Sequence, residues 1–312
     1  MCGRFVQTLS AIELKRLFYL AANPPEADRR FNIAPGSQIL VIQAQDGVRA
    51  GALAQWGLSA PGTRAVGVAP VRVETKDIGA GNARAAKARS SSARPAPINA
   101  RSESIFDRPM FRSAIERRRC LVPATGFYEW RRRGRARDPF LVQFKEREPF
   151  AMAAIWTEGE GQSGQRVLTC AVLTTQARGV VSSIHDRMPV ILEPERYDRW
   201  LDPARMSRDE LVALLDDEEV SLALAMRRVS ARVGSVANED AALLDEVVDE
   251  PIDDVAGNGD SENGDGLANG DGLANGDGLA NVHSREDGQG REEARAKGAG
   301  RKKRAQLTFT FD

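Results

Sequence analysis

The sequence predicts an α+β domain: a mixed, largely antiparallel, barrel-like sheet with a few flanking helices. Two observations carry this. Short apolar runs of strand length, set between turn residues, recur from about residue 38 to residue 192. The helical segments are few, short and interspersed among them, and two open on capping boxes.

Taken in order, Ser10-Ala11-Ile12-Glu13 is a capping box, and Ile12, Leu14, Leu17 and Phe18 give the helix behind it an apolar face. Asn32-Ile33-Ala34-Pro35-Gly36 reads as a turn leading into an apolar strand over 38–43, and another strand ends at Trp56-Gly57-Leu58. Residues 59–98 are rich in Ala, Gly, Ser, Arg and Pro, carry seven bases against two acids, and read as a long basic insertion loop. Structure resumes at Asn99, with a short helix over 111–117. Strands follow over 120–122, 126–130, 140–144, 150–156, 167–173 and 188–192. Ser207-Arg208-Asp209-Glu210 is a second capping box, opening a helix over 211–215.

The domain is expected to span residues 1–250. Residues 251–300 form an acidic linker rich in Gly, Asn and Asp, within which Asn-Gly-Asp-Gly-Leu-Ala occurs three times from Asn263 to Ala280. Three such turns without a cap bury no core, so the segment is read as flexible. Residues 301–312 hold a basic cluster and a short apolar end. The net charge of zero hides an asymmetry. Residues 235–312 hold 18 of the 44 acids and 8 of the 44 bases, leaving 26 acids and 36 bases on residues 1–234. A body with that excess of bases suits a polyanionic partner. Three widely spaced cysteines make no disulfide framework, and with two histidines no metal site or cofactor is expected. No apolar run has transmembrane length, so a cytoplasmic, nucleoid-associated monomer is expected, with no membrane partner.

Cys2 is the residue of greatest chemical interest. Removal of Met1 would place an α-amine and a thiol on one residue, with pKa values near ~8 and ~8.5, both partly nucleophilic at neutral pH. The amine can condense with an aldehyde and the thiol can close a thiazolidine ring on the product.

Five blocks stand out: Cys2-Gly3-Arg4-Phe5, Asn32-Ile33-Ala34-Pro35, Asn99-Ala100-Arg101-Ser102-Glu103-Ser104, Pro123-Ala124-Thr125-Gly126-Phe127-Tyr128-Glu129-Trp130 and Ile184-His185-Asp186-Arg187-Met188-Pro189. In order and content they closely resemble the SOS-response-associated peptidase (SRAP) family, also described as abasic-site processing proteins, over most of residues 1–235. The resemblance implies the SRAP fold and an enzyme that senses and shields abasic sites in single-stranded DNA. Its Cys2 would capture the ring-opened aldehyde as a thiazolidine DNA–protein crosslink, by lyase-type Schiff-base chemistry. An autopeptidase step that removes Met1 is also attached to the family name, although a housekeeping aminopeptidase acts equally well ahead of a small residue.

The resemblance implies that Cys2 is the crosslinking nucleophile, with Glu129 and His185 as proton-transfer groups. Asn99 would hydrogen-bond the sugar or the Cys2 amine, Arg4 and Arg101 would grip flanking phosphates, and Trp56 would lie on the DNA path. Glu103 is expected to pair an arginine. Trp130 and Trp156 are expected in the core, as are the thiols of Cys120 and Cys170. Arg131, Arg132, Arg133, Arg135 and Arg137 form a basic hairpin that either tracks phosphates or is a solvated turn. One departure stands out: relatives carry a second tryptophan shortly after Trp-Gly-Leu, and here it is missing while the connection stretches to Ile98.

Two other functions fit part of the chain. An N-terminal-nucleophile glutamine amidotransferase also begins Met-Cys-Gly, but its Asn-Gly-Glu segment and the other four blocks have no match there. A non-catalytic DNA-binding protein would use the basic body alone. At the far end, Gln306-Leu307-Thr308-Phe309-Thr310-Phe311 resembles the glutamine-led peptides that dock on sliding clamps, against the alternatives of a strand pairing back on the body or a frayed tail.

Overall fold

In the computed structural model, regular structure opens with strand β1 (Phe5–Gln7) and helix α1 (Ala11–Leu17). The Ser10 hydroxyl accepts the Glu13 N–H while the Glu13 carboxylate accepts the Ser10 N–H at 2.7 Å, so the capping box is complete. Leu14 and Phe18 are buried, but Ile12 is 74 % exposed. Two residues of helix turn the chain through about 200°, which sends Ile12 away from the face of Leu14 and corrects its place on the apolar stripe. The structure describes residues 2–25, 28–60, 96–160, 165–204, 206–215 and 218–247, all inside one compact unit, Met1–Ile252. Most of the basic insertion, the repeats and residues 301–312 lie outside the described residues.

Strands β2 (Arg30–Ile33), β3 (Gln38–Gln45), β4 (Val48–Trp56) and β5 (Asn99–Arg101) precede helix α2 (Pro109–Arg117). Five long strands follow: β6 (Arg119–Ala124), β7 (Gly126–Arg133), β8 (Ala136–Phe144), β9 (Phe150–Glu160) and β10 (Arg166–Gln176). The single strand expected over 188–192 is two, β11 (Arg187–Pro189) and β12 (Ile191–Leu192), which pair β10 and β9 respectively. Helices α3 (Tyr197–Leu201), α4 (Arg208–Leu215) and α5 (Glu218–Leu222) lead to β13 (Leu224–Arg228). The second capping box forms, with Glu210 N–H donating to Ser207 Oγ and Ser207 N–H to the Glu210 carboxylate.

Strands β10, β4, β3, β6 and β9 close on themselves, because β9 pairs β10 as well as β6. This is the barrel the strand pattern predicted, mixed because β4 runs parallel to β10. A second, wholly antiparallel sheet runs β13-β8-β7-β1-β2. Alternation along the barrel strands serves two cores. Ile39 and Val41 join Phe5, Phe127 and Val142 of the second sheet, whereas Leu40 and Ile42 join Leu14, Phe111 and Trp200 from the helices. Cys120 and Cys170 are buried in the first of these cores. The back of the second sheet is covered by residues 229–244, with Tyr128 and Leu141 against Val233 and Leu243.

One register explains how the chain carries its basic connection. Ala54–Trp56 pair with Leu168–Cys170 of β10, and Asn99–Arg101 pair with Val172–Thr174, so β4 and β5 lie end to end along one edge of the same strand. Gly57 N–H donates to Cys170 O, Val172 N–H to Ile98 O, and Leu58 N–H to Pro97 O. The connection leaves and returns at adjacent points, where closure entropy grows only slowly with length. Among the described residues, no helix is long and apolar enough to cross a membrane.

Candidate active site at the seam of the two sheets

Cys2 stands just ahead of β1, and both sheets hold it. From the second sheet, β1 pairs β7 through Phe5 and Phe127, and Tyr128 N–H donates to Arg4 O at 2.9 Å. From the barrel, Asn99 at the start of β5 donates its side-chain N–H to Cys2 O at 2.8 Å. The Cys2 side chain is fully buried beside Phe5, Trp56 and Val172. Burial and the nearby Glu129 charge push its thiol well above the usual range. Burial thus favours the neutral thiol in the chain that retains Met1, whereas the partly ionised thiol is expected of Cys2 once Met1 has been removed.

Period-two alternation sets Glu129 on the same face of β7 as Phe127, which packs with Cys2, while Tyr128 faces the opposite core. Gly126 begins this strand where a Cβ would come within 2.8 Å of Gln143 and 2.9 Å of Leu141, so no side chain fits as β7 passes β8. Glu129 is only 3 % exposed. Burial pushes its carboxyl up to about 7, with the Asp186 carboxylate adding to the rise.

His185 follows a 3₁₀ turn (Gly179–Ser183), with Nε2 4.0 Å from Glu129 Oε2. With the proton of the neutral ring on Nε2, facing Glu129, Nδ1 accepts the Arg187 N–H at 2.9 Å; with the proton on Nδ1 it would donate to Arg187 O at 3.2 Å. Asp186 Oδ1 lies 3.0 Å from Nδ1 and would favour a proton there. That carboxylate is 82 % exposed and screened by solvent, so its pull is weak beside the shorter bond from the Arg187 N–H. Burial lowers the His185 pKa below its ordinary value, favouring the neutral ring.

The His185 loop is clamped from the next residue but one. Arg187 makes a two-pronged pair with Glu103, at 2.7 and 2.9 Å, and donates to Thr174 O at 2.6 Å. Burial would raise the Glu103 carboxyl, but the hydrogen bond and charge of Arg187 outweigh it and hold it below the usual range. The arginine partner expected for Glu103 is thus Arg187, and the pair ties the Asn99–Ser104 block to the His185 block.

Two expected DNA-binding residues are placed elsewhere. Trp56 is fully buried, meets Phe5 edge-on at 5.2 Å, and donates its indole N–H to Ile98 O at 2.9 Å. It offers no ring face to a base, because its strand runs through the barrel wall. Trp130 and Trp156, expected in the core, are half-buried and pack against its clusters. Arg4 also turns inward, donating to Asn32 Oδ1 at 2.6 Å and Val233 O at 2.7 Å, with its guanidinium over the Trp130 ring. These contacts tie the segment carrying Cys2 to Asn32 and Val233. Arg101 remains exposed on the same face of β5 as Asn99, two residues on.

Sequence reasoning missed what Asn32 and Glu239 do. The Asn32 side-chain amide donates to Val233, Ser235 and Asn238 carbonyls, and Glu239 accepts the N–H groups of Phe31 and Asn32. Glu239 sits near the end of the expected domain, in a stretch with no apolar periodicity to mark it as packed.

The chain matches the profile described as SOS response associated peptidase (SRAP) over residues 1–236. It belongs to that family. Abasic site processing protein YoaM of Bacillus subtilis is 31 % identical over 78 % of this chain and 98 % of its own length. Abasic site processing protein YedK of Escherichia coli is 26 % identical over 79 % of this chain and all of its own. The chicken abasic site processing protein HMCES is 30 % identical over 47 % of this chain and 49 % of its own. A crystal structure of a Bacteroides thetaiotaomicron protein superposes with a TM-score of 0.60 over 79 % of this chain and all of its own, at 22 % identity, which shows that the SRAP member shares its fold.

Proposed function

We propose that this SRAP protein captures and shields abasic sites in single-stranded DNA, forming a thiazolidine crosslink through Cys2 once Met1 has been removed. What supports this is the arrangement at the seam: a cysteine backbone pinned by Asn99, with a carboxyl near neutrality and a neutral histidine beside it.

The amine of Cys2 attacks the aldehyde carbon of the ring-opened sugar. Protons supplied to the carbonyl oxygen give first a carbinolamine and then, as water leaves, an iminium. The sulfur adds to the iminium carbon and the thiol proton departs to a base, so amine, aldehyde and thiol become a thiazolidine plus one water. Burial, which favours the neutral thiol, suits this order, with the amine acting first. Glu129, with a pKa of about 7, is matched to giving a proton when water leaves and taking one from the thiol. His185 Nε2 can share a substrate hydroxyl with Glu129 across their 4.0 Å gap. Asn99 Oδ1 is a buried acceptor without a partner among the described residues, suited to an N–H of the Cys2 amine or a sugar hydroxyl. Arg101 is placed to meet a flanking phosphate. The tail's Gln306-Leu307-Thr308-Phe309-Thr310-Phe311 is read as a clamp-docking peptide.

The protein is mixed with a single-stranded oligonucleotide carrying one abasic site and run on a denaturing gel. A heat-stable, salt-resistant adduct with the two masses less one water is expected. Its absence with protein lacking Met1 overturns the assignment.

A further inference from the structure

The β7–β8 hairpin is a basic ridge that the site itself does not use. Arg132, Arg133, Arg135 and Arg137 are exposed, and Arg131 is half-exposed. The turn Gly134-Arg135 has a left-handed φ of +61° at Gly134 alone, as a type II′ hairpin requires, and nothing lies within 4 Å of a Cβ built there. The ridge is therefore a tight, rigid projection into solvent.

Its two faces differ in charge balance. Arg131 and Arg133 lie 3.6 Å from the buried Asp138 carboxylate, which Arg228 also approaches at 3.8 Å. On the other face Arg132 and Arg137 are direct cross-strand partners, and among the described residues neither they nor Arg135 meet a carboxylate. Like charges directly opposite each other destabilise a hairpin, so the fold itself gives no reason for this pair. The ridge continues the strand that carries Glu129: Arg131 and Arg133 share the face of Glu129, whereas half-buried Trp130 and Arg132 share the opposite face. The Arg132 charge is also among the influences that lower the His185 pKa, consistent with a ridge flanking the site.

We propose that Arg132, Arg135 and Arg137 bind the phosphate backbone of single-stranded DNA on one side of the captured nucleotide, replacing Arg4, which is committed to the interior. This rests on the abasic-site reading for its substrate, but the contact needs no lesion. Planar guanidinium forks on a rigid turn match successive phosphates and read no base. The acidic tail is the other polyanion at hand, and the test separates the two.

The test uses full-length protein with Arg132, Arg135 and Arg137 replaced together by Gln, beside an Arg108→Gln/Arg117→Gln control on and before α2. Binding to an undamaged fluorescent single strand is titrated over a range of salt. For single strands each lost phosphate contact lowers the slope of log K against log salt by about 0.7, so a fall of about 2 is expected for the triple variant and none for the control. Urea unfolding of both variants checks that they fold alike. Crosslinking to an abasic strand should need more of the triple variant than of wild type. An unchanged salt slope overturns the proposal, even if wild type crosslinks normally. Tighter DNA binding by the triple variant means that the ridge holds the tail, and overturns it too. If the slope falls but wild type forms no adduct, the ridge stands and the abasic-site assignment fails.

Discussion

Replacing Glu129 with Gln should make the protein more stable and less active, with a pH dependence that identifies the cause. The carboxyl is 3 % exposed and its pKa stands at about 7 against an ordinary 4.5. At about 1.4 kcal/mol per pH unit, that gap is worth on the order of 3 kcal/mol. Below pH 4.5 the group is protonated in both folded and unfolded chains, so it has no effect. Between 4.5 and 7 the unfolded chain releases the proton while the folded chain keeps it, so stability falls as pH rises. Above 7 the folded protein carries a buried charge and the loss is complete. Gln keeps the shape and removes the titration. Urea unfolding at about pH 4.5, 6, 7.5 and 8.5 should show variant and wild type equal at the acid end, and the variant ahead by up to about 3 kcal/mol at the alkaline end. Crosslinking should meanwhile slow by ~10²–10⁴-fold with little change in DNA affinity. A stability gain that does not vary with pH, or none at all, would refute the buried-carboxyl account. Equal losses of affinity and rate would refute the proton-transfer role.

Cys2→Ala should abolish the stable adduct while leaving salt-sensitive DNA binding intact, and a retained Met1 or an N-terminal tag should do the same; a heat-stable adduct in either case would count against thiazolidine chemistry. Arg4→Ala should cost about 2–4 kcal/mol in urea unfolding, because Asn32 Oδ1 and Val233 O lose a buried charged donor, yet leave the salt slope of DNA binding unchanged. A slope lowered by about 0.7 would return Arg4 to the phosphate role. Glu103→Gln should slow crosslinking by loosening the His185 loop, and since the depressed Glu103 pKa contributes stability only above the ordinary carboxyl range, its effect on unfolding should fade as pH drops below about 4.5. A synthetic peptide of residues 301–312 should bind the host's sliding clamp in calorimetry, and Gln306→Ala with Phe309→Ala should remove that binding.

The chain itself determined whatever depends on neighbours a few residues apart. Ser10 with Glu13 and Ser207 with Glu210 specify their helix starts, because a capping box closes within one turn. Short apolar runs between turn residues specified the strands and, through their number and length, the curled sheet. The five blocks located Cys2, Asn99, Glu129 and His185, and the structure gathers these four at one seam. Tertiary structure alone decided what each neighbourhood does to its residue. Arg4 reads as a free cation until Val233, 229 residues away, supplies the carbonyl that turns it inward. Trp56 reads as a stacking platform until Phe5 and Ile98 close over it. The Cys2 thiol and Glu129 carboxyl have ordinary acidities in an extended chain, and burial between two sheets raises both. Desolvation is a sum over atoms brought together from distant parts of the sequence, so it has no local pattern from which to be read.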